Sequence, residues 1–303
     1  MIKRRSLKVT LFMSVLILLA GILSGCGSKS ASNGNNSESK KISIVSAEDF
    51  YGEVAKAVGG NHVTVTSILN KPNMDPHDFE ATPQTARVVS RANLVIYNGI
   101  GYDDWMGRLV SNKKDNQVIR VGEDVMNKKN GDNEHLWYQP ETLPALAHHL
   151  ADQLAKIDSA HADQYKENAA TFITTLKPIN EEVAKLRKRS DNKLVDVSEP
   201  VFDYMLEALG YKVANNHFEQ AVEEESDPSP KDIAQMQQDI KKKKIAFFVT
   251  NTQEMSPTVE KMVSLANKHS VPVIKVTETL PAGKNYKSWM LDQLAQINKA
   301  QNK

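Results

Sequence analysis

Four residues have the types and the placement to hold one metal ion: His77, His135, Glu199 and Glu278. Two neutral imidazoles and two carboxylates make an N2O2 donor set, and the carboxylates cancel the charge of a divalent cation. That mixture of nitrogen and hard oxygen suits zinc or manganese. Four protein ligands leave no open position for an activated water, so the set points to holding an ion rather than to hydrolysis. Two other readings use the same residues. Two histidines and one carboxylate with open positions would be a metalloenzyme centre, against which Glu278 counts as a fourth ligand. A metal that only stabilises the fold would fit a surface adhesin. The remaining histidines, His62, His148, His149, His161, His217 and His269, lie off the apolar stripes or among polar neighbours and read as solvated. Phosphate-cradling glycine loops and Gly-x-Ser-x-Gly elbows are absent from the sequence.

The elements that must position these four alternate between strand and helix. Ile42 to Val45, Val63 to Leu69, Leu94 to Tyr97 and Val118 to Val121 read as buried strands. Helices stand between them, one over Phe50 to Val58 stopped by Gly59-Gly60 and one opened by Thr82 and Pro83 as cap and first-turn proline. From Glu141 the apolar residues recur every three or four positions, first through Leu143, Leu146, Leu150 and Leu154. They continue through Tyr165, Ala169, Phe172, Leu176, Ile179, Val183 and Leu186. This predicts a long helix near mid-chain, bent but not broken at Pro178. After Ser190 the alternation resumes, with strands at 194–197, 211–214, 245–250 and 271–277 and helices at 202–209 and after Ser229-Pro230 and Ser256-Pro257. The run Glu223-Glu224-Glu225-Ser226-Asp227 reads as a solvated acidic loop. The fold class that follows is α/β, two lobes, each a parallel sheet flanked by helices, joined by one long helix. Ligands of open parallel sheets bind beyond the carboxyl ends of the strands. His77 and His135 from the first lobe and Glu199 and Glu278 from the second sit in loops of that kind and would meet across a cleft.

The chain opens with Lys3, Arg4, Arg5 and Lys8, then the apolar run 9–22, then Ser24, Gly25 and Cys26. That order is a secretory leader, and the apolar run is shorter than the roughly 20 residues a membrane-spanning helix needs. Leu23-Ser24-Gly25-Cys26 resembles the lipobox of bacterial lipoproteins, which implies removal of residues 1–25 and a lipid on Cys26. Cys26 is the one cysteine, so neither an internal disulfide nor a thiolate metal site is available. Residues 26–40 are rich in Ser, Asn, Gly and Lys and are expected to form a flexible tether. Four basic and no acidic residues leave with the leader, so 38 basic and 37 acidic become 34 and 37. No basic field for nucleic acid is left.

Four motifs together resemble the metal-binding solute-binding lipoproteins of bacterial zinc and manganese ABC importers, over essentially the whole mature chain. Asp75-Pro76-His77-Asp78-Phe79-Glu80 is similar to the first motif of that family, and Asn133-Glu134-His135-Leu136-Trp137 to the second, usually Asp-Pro-His-x-Trp. Ser198-Glu199-Pro200-Val201-Phe202-Asp203-Tyr204 resembles the third, and Thr277-Glu278-Thr279 falls where manganese-type members carry Asp. The resemblance implies a C-clamp fold of the periplasmic-binding-protein type. Its divisions are a leader at 1–25, a tether at 26–40, a first lobe at 41–140, a helical segment at 141–190 and a second lobe at 191–303. It also implies Mn²⁺ or Zn²⁺ as cargo, bound by His77, His135, Glu199 and Glu278, with Glu199 in place of His favouring manganese. The implied partners are an ABC permease with its ATPase, met by a lipid-anchored monomer on the outer face of the cytoplasmic membrane. Asn133-Glu134 departs from Asp-Pro and predicts a loosely held His135 loop.

Overall fold

The computed structural model describes residues 41–72, 74 and 79–302. The leader, the tether with Cys26, and His77 fall outside the described residues. The first sheet contains β1 (Ile42–Glu48), β2 (Val63–Leu69), β3 (Leu94–Tyr97) and β4 (Val118–Arg120), all parallel, in the order β2-β1-β3-β4. The second contains β5 (Leu194–Val197), β6 (Lys212–Val213), β7 (Ile245–Asn251) and β8 (Val273–Val276), again parallel, in the order β6-β5-β7-β8. In each sheet the strand order reverses between the two central strands, which is where an open α/β sheet forms a crevice at its carboxyl edge.

Helices cover the faces of these sheets: α1 (Asp49–Gly59), α2 (Pro83–Arg91), α3 (Asp104–Val110) and α4 (Thr142–Ile157) around the first. Around the second lie α6 (Asp203–Leu209), α7 (Asn216–Glu223), α8 (Pro230–Lys241), α9 (Pro257–Lys268) and α10 (Tyr286–Gln301). Three of them start at the Ser/Thr-Pro signals read from the sequence. Thr82, Ser229 and Ser256 each accept the N–H three residues on, at 3.1, 3.2 and 3.3 Å, with proline in the first turn. Gly210 closes α6 at φ 77°, and a Cβ there would lie 2.9 Å from Ser190 Oγ, so both its backbone and its surroundings require glycine.

The helix between the lobes is α5 (Ala162–Arg187), continuous through the exposed Pro178. It buries Tyr165, Ala169, Phe172, Leu176, Ile179, Val183 and Leu186 along one side. Its first half is tied to the first lobe where Asn168 donates to the Val58 carbonyl (2.9 Å). At its other end Arg187 donates to the Ala208 carbonyl (2.7 Å) and Gln301 to the Leu186 carbonyl (3.0 Å). One apolar core runs from Ile44 and Ile96 of the first sheet to Val195 and Val249 of the second. Aromatic side chains fill the junction. Phe50 packs on Trp137 (ring centroids 5.0 Å) and Trp289 (5.9 Å), and Tyr138 packs on Phe202 (4.9 Å).

Two elements differ from the sequence reading. The acidic run is not all loop: Glu223 is the last residue of α7, whose Phe218 is fully buried. α10 was not anticipated, although its buried positions Tyr286, Trp289, Met290, Leu294 and Ile297 have helical spacing. Gln293 lies within that stripe and interrupts its apolar signal; it is buried because Tyr138 donates to its Oε1 at 2.9 Å. Among the described residues, no helix is long and apolar enough to cross a membrane.

Candidate metal centre

His135 comes from a loop on the first lobe that is pinned at several points. Asn98, just beyond β3, donates to the Glu134 carbonyl (3.0 Å) and accepts from Tyr51 (2.7 Å). Asn133 accepts the His135 backbone N–H on Oδ1 at 2.9 Å, and the same oxygen lies 3.0 Å from His135 Nδ1. A backbone N–H can only donate, so that atom must be the amide oxygen and Nδ1 must carry the ring proton. Nε2 is left with its lone pair, the arrangement in which metal-binding histidines are held by a second partner. The Asn133 amide nitrogen reaches across to the second lobe and donates to the Pro200 carbonyl (2.8 Å), while Tyr204 donates to the Asn133 carbonyl (2.8 Å). The loop expected to be loose is thus fastened by the very residue that departs from the usual Asp-Pro.

Glu199 follows β5 and precedes the turn Pro200–Phe202. The strand end beneath it is closed by Ser198, whose N–H donates to the Val249 carbonyl (2.9 Å) and whose hydroxyl accepts from the Asn251 N–H (3.0 Å). Glu278 follows β8, and Gln253 positions it: Gln253 Oε1 accepts the Glu278 and Thr279 N–H groups at 2.7 and 3.0 Å. The Gln253 amide nitrogen donates to the Pro72 carbonyl, to which Thr279 also donates (2.9 Å). Pro72 belongs to the first-lobe segment that leads toward His77, so the Glu278 loop is latched to that segment. Tyr138 donates to the Thr277 carbonyl, and Trp289 Nε1 donates to Thr277 Oγ1 at 2.9 Å.

Glu199 and Glu278 line one cavity of about 790 Å³, together with Glu223, Glu224, Glu225, Asp227 and Glu254. His135 meets its wall through Glu223, whose Oε1 lies 3.9 Å from Nε2. His135 is 1 % exposed, Glu199 6 % and Glu278 9 %, which places two carboxylates in a region that solvates negative charge poorly. Burial first, and then the neighbouring Glu278 and Glu223, push the Glu199 carboxyl well above its ordinary range. Glu199 Oε1 has no hydrogen-bond partner among the described residues. Tyr102, on the first lobe, is likewise pushed well up, by burial and then by Glu278. A cation entering among these groups would relieve both the desolvation and the mutual repulsion.

The structure therefore brings Glu199 and Glu278 into one cavity with His135 at its wall, while His77 lies outside the described residues. It does not draw the three described groups into a closed cage: among the described residues, the three whose ligand atoms all come within 4.8 Å of one another are elsewhere, at His62, Asp158 and His161. Three contributors were not read from the sequence. Gln253 acts through contacts 25 and 181 residues away, Asn133 joins a local hold on His135 to a long-range contact with Pro200, and Glu223 was hidden in a run that looked solvated.

A family model described as ZnuA, zinc-uptake complex component A, periplasmic, matches residues 44–300. An iron ABC transporter substrate-binding lipoprotein, MtsA of Streptococcus pyogenes serotype M1, is 26 % identical over 97 % of this chain and 98 % of its own length. A manganese ABC transporter substrate-binding lipoprotein, PsaA of Streptococcus anginosus, is 25 % identical over 97 % of this chain and 98 % of its own. Among solved structures, the periplasmic zinc-binding protein TroA from Treponema pallidum superposes with a TM-score of 0.71 at 16 % identity, covering 86 % of this chain and 99 % of that one. That likeness is one of fold.

Proposed function

The chain belongs to the ZnuA family, the periplasmic component A of zinc-uptake complexes, and from that premise we propose that it captures one divalent transition-metal ion through His77, His135, Glu199 and Glu278 and delivers it to a membrane permease powered by an ATPase. It is a substrate-binding protein of metal ABC transport and not an enzyme. The observation that best supports this ligand set is the fixed tautomer of His135, which keeps Nε2 as a donor at the wall of a cavity lined by the buried Glu199 and Glu278.

The cargo is Mn²⁺ or Zn²⁺. Iron, manganese and zinc each stand in the name of one of the similar proteins, so kinship leaves the choice to the donor set. An N2O2 site holds zinc more tightly than manganese in solution by the Irving–Williams order, whatever the cell supplies. A carboxylate at Glu199 adds hard oxygen and moves the preference toward manganese. Release uses local movement. The aromatic junction and the core shared by both lobes resist a wide hinge opening, whereas the Glu278 loop hangs on Gln253 and the contact with Pro72.

Cys26 carries the lipid anchor once residues 1–25 are removed, and residues 26–40 form the tether on the outer face of the membrane. A monomer held this way meets its permease at high effective concentration. The divisions at 41–140, 141–190 and 191–303 follow the same reading, with the lobes as the two jaws of the site.

Metal uptake by a strain lacking this protein tests the proposal. Uptake should return with the unmutated chain and stay absent with His77→Ala or Glu199→Ala, and the protein purified from its own host should contain one equivalent of manganese or zinc at this site. Full metal retention by both variants would refute the ligand set.

A further inference from the structure

A second cluster lies at the opposite end of the first sheet. His62 ends the short turn Gly60–His62 that leads into β2, whereas the proposed cargo ligands follow the carboxyl ends of strands. At about 3.3 Å per residue, the length of β2 separates the two ends by roughly 20 Å. Asp158 precedes the turn Ser159–His161 that joins α4 to α5, and His161 ends it. The His62 and His161 rings stack with centroids 3.8 Å apart and planes at 29°. One nitrogen of each ring and one Asp158 oxygen lie within 4.8 Å of one another.

Two members of this trio are held by a further side chain, and the third, His161, by Asp158. Gln164 Oε1 is 3.0 Å from His62 Nε2, a contact that orients the His62 ring. Asp158 Oδ2 accepts from Tyr165 (2.7 Å) and lies 2.7 Å from His161 Nδ1. The Tyr165 hydroxyl first, and His161 after it, hold the Asp158 carboxyl below its ordinary value, so it is ionised at neutral pH. All three residues are half-buried, so an ion can reach them from solvent.

We propose that His62, Asp158 and His161 form a second metal site, separate from the cargo site and selective for zinc and the other imidazole-seeking transition metals. Two nitrogens and one oxygen suit zinc over manganese or calcium, and three protein ligands leave a fourth position to water. Tetrahedral zinc with bonds near 2.0–2.1 Å needs donor atoms about 3.3–3.4 Å apart, so the side chains must close in slightly on binding. The ion would clamp the turn before β2 to the start of α5, alongside the bond from Asn168 to the Val58 carbonyl.

Equilibrium dialysis of the full chain against rising free Zn²⁺ tests this, read as ions bound per chain, with the ring nitrogens of His62 and His161 followed by NMR. The unmutated chain should bind two ions, His62→Gln/His161→Gln one, and Glu199→Ala should keep the second-site ion. The His62 and His161 signals should shift as that ion binds, in a chain that carries no substitution. Two ions retained by the double variant, ring signals that stay still at saturation, or loss of both ions in Glu199→Ala would each overturn the proposal. If Glu199→Ala binds two ions and the double variant one, the cargo reading fails and the second site stands.

Discussion

Asn133 holds His135 twice through one atom: its Oδ1 accepts the His135 backbone N–H at 2.9 Å and faces the ring Nδ1 at 3.0 Å. Its amide nitrogen is anchored on the Pro200 carbonyl, beside Glu199. One side chain therefore sets the tautomer of His135, the proposed first-lobe ligand, and couples it to the loop of Glu199, a proposed second-lobe ligand. Asn133→Ala should weaken metal binding by about 10- to 100-fold, the usual cost of removing a partner that orients a ligand. Competition against a chelating dye measures this, and an unchanged affinity would mean that His135 does not bind the ion.

Gln253 does for Glu278 what Asn133 does for His135. Its Oε1 collects the Glu278 and Thr279 N–H groups, and its amide nitrogen reaches Pro72 on the other lobe. Gln253→Ala frees the Glu278 loop and should speed release of the ion more than it slows capture. Stopped-flow transfer of the metal to excess chelator should show a dissociation rate raised by about an order of magnitude.

Glu199 is a cost to the empty protein and a benefit to the loaded one, because its buried carboxyl has no partner for Oε1 among the described residues and has Glu278 as a neighbour. Glu199→Gln should raise the melting temperature of the metal-free chain while abolishing its response to manganese. For the unmutated chain, an ion at 100 times its Kd contributes about 2.7 kcal/mol. At about 2–4 °C per kcal/mol for a protein of this size, the melting temperature should rise by roughly 5–10 °C.

Stability of the metal-free protein should fall as pH rises above neutrality. Burial pushes Asp196 and Asp203 up to about 7, and burial and then Asp203 push Glu219 up to about 9. In the unfolded chain these groups titrate near 4. Folding therefore favours their protonated forms: that stability is fully present below the unfolded values and is lost as pH rises through 7 and then 9. Calorimetry at pH 6 and pH 9.5 should show the lower melting temperature at the higher pH, and Glu219→Gln should flatten the decline above pH 8.

Much of this fold was legible because its strands and helices announce themselves locally. The buried runs of β1 to β4, the Ser/Thr-Pro helix starts and the seven-residue apolar stripe of α5 are all short-range patterns. α7 was not legible: in eight residues it buries one apolar side chain, Phe218, beside the buried Glu219, and it ends in a run of glutamates that by charge alone belongs in water. Of the candidate site, Glu199 and Glu278 stand out because each lies two residues past the end of a strand. The hold of Asn133 on His135 spans only two residues, but the links from Asn133 to Pro200 and from Gln253 to Pro72 could not be read, because they span 67 and 181 residues and no local pattern encodes a contact of that span. His62 and His161 looked solvated for the same reason, since each is unremarkable until the turn before β2 meets the start of α5.

The most direct test of the central claim is anomalous diffraction from crystals of the full chain loaded with one equivalent of manganese or zinc. A single strong peak should lie within about 2.0–2.2 Å of His135 Nε2 and of oxygens from Glu199 and Glu278, with His77 completing the sphere. A peak bound by other residues, with His135, Glu199 and Glu278 left unligated, would contradict the account.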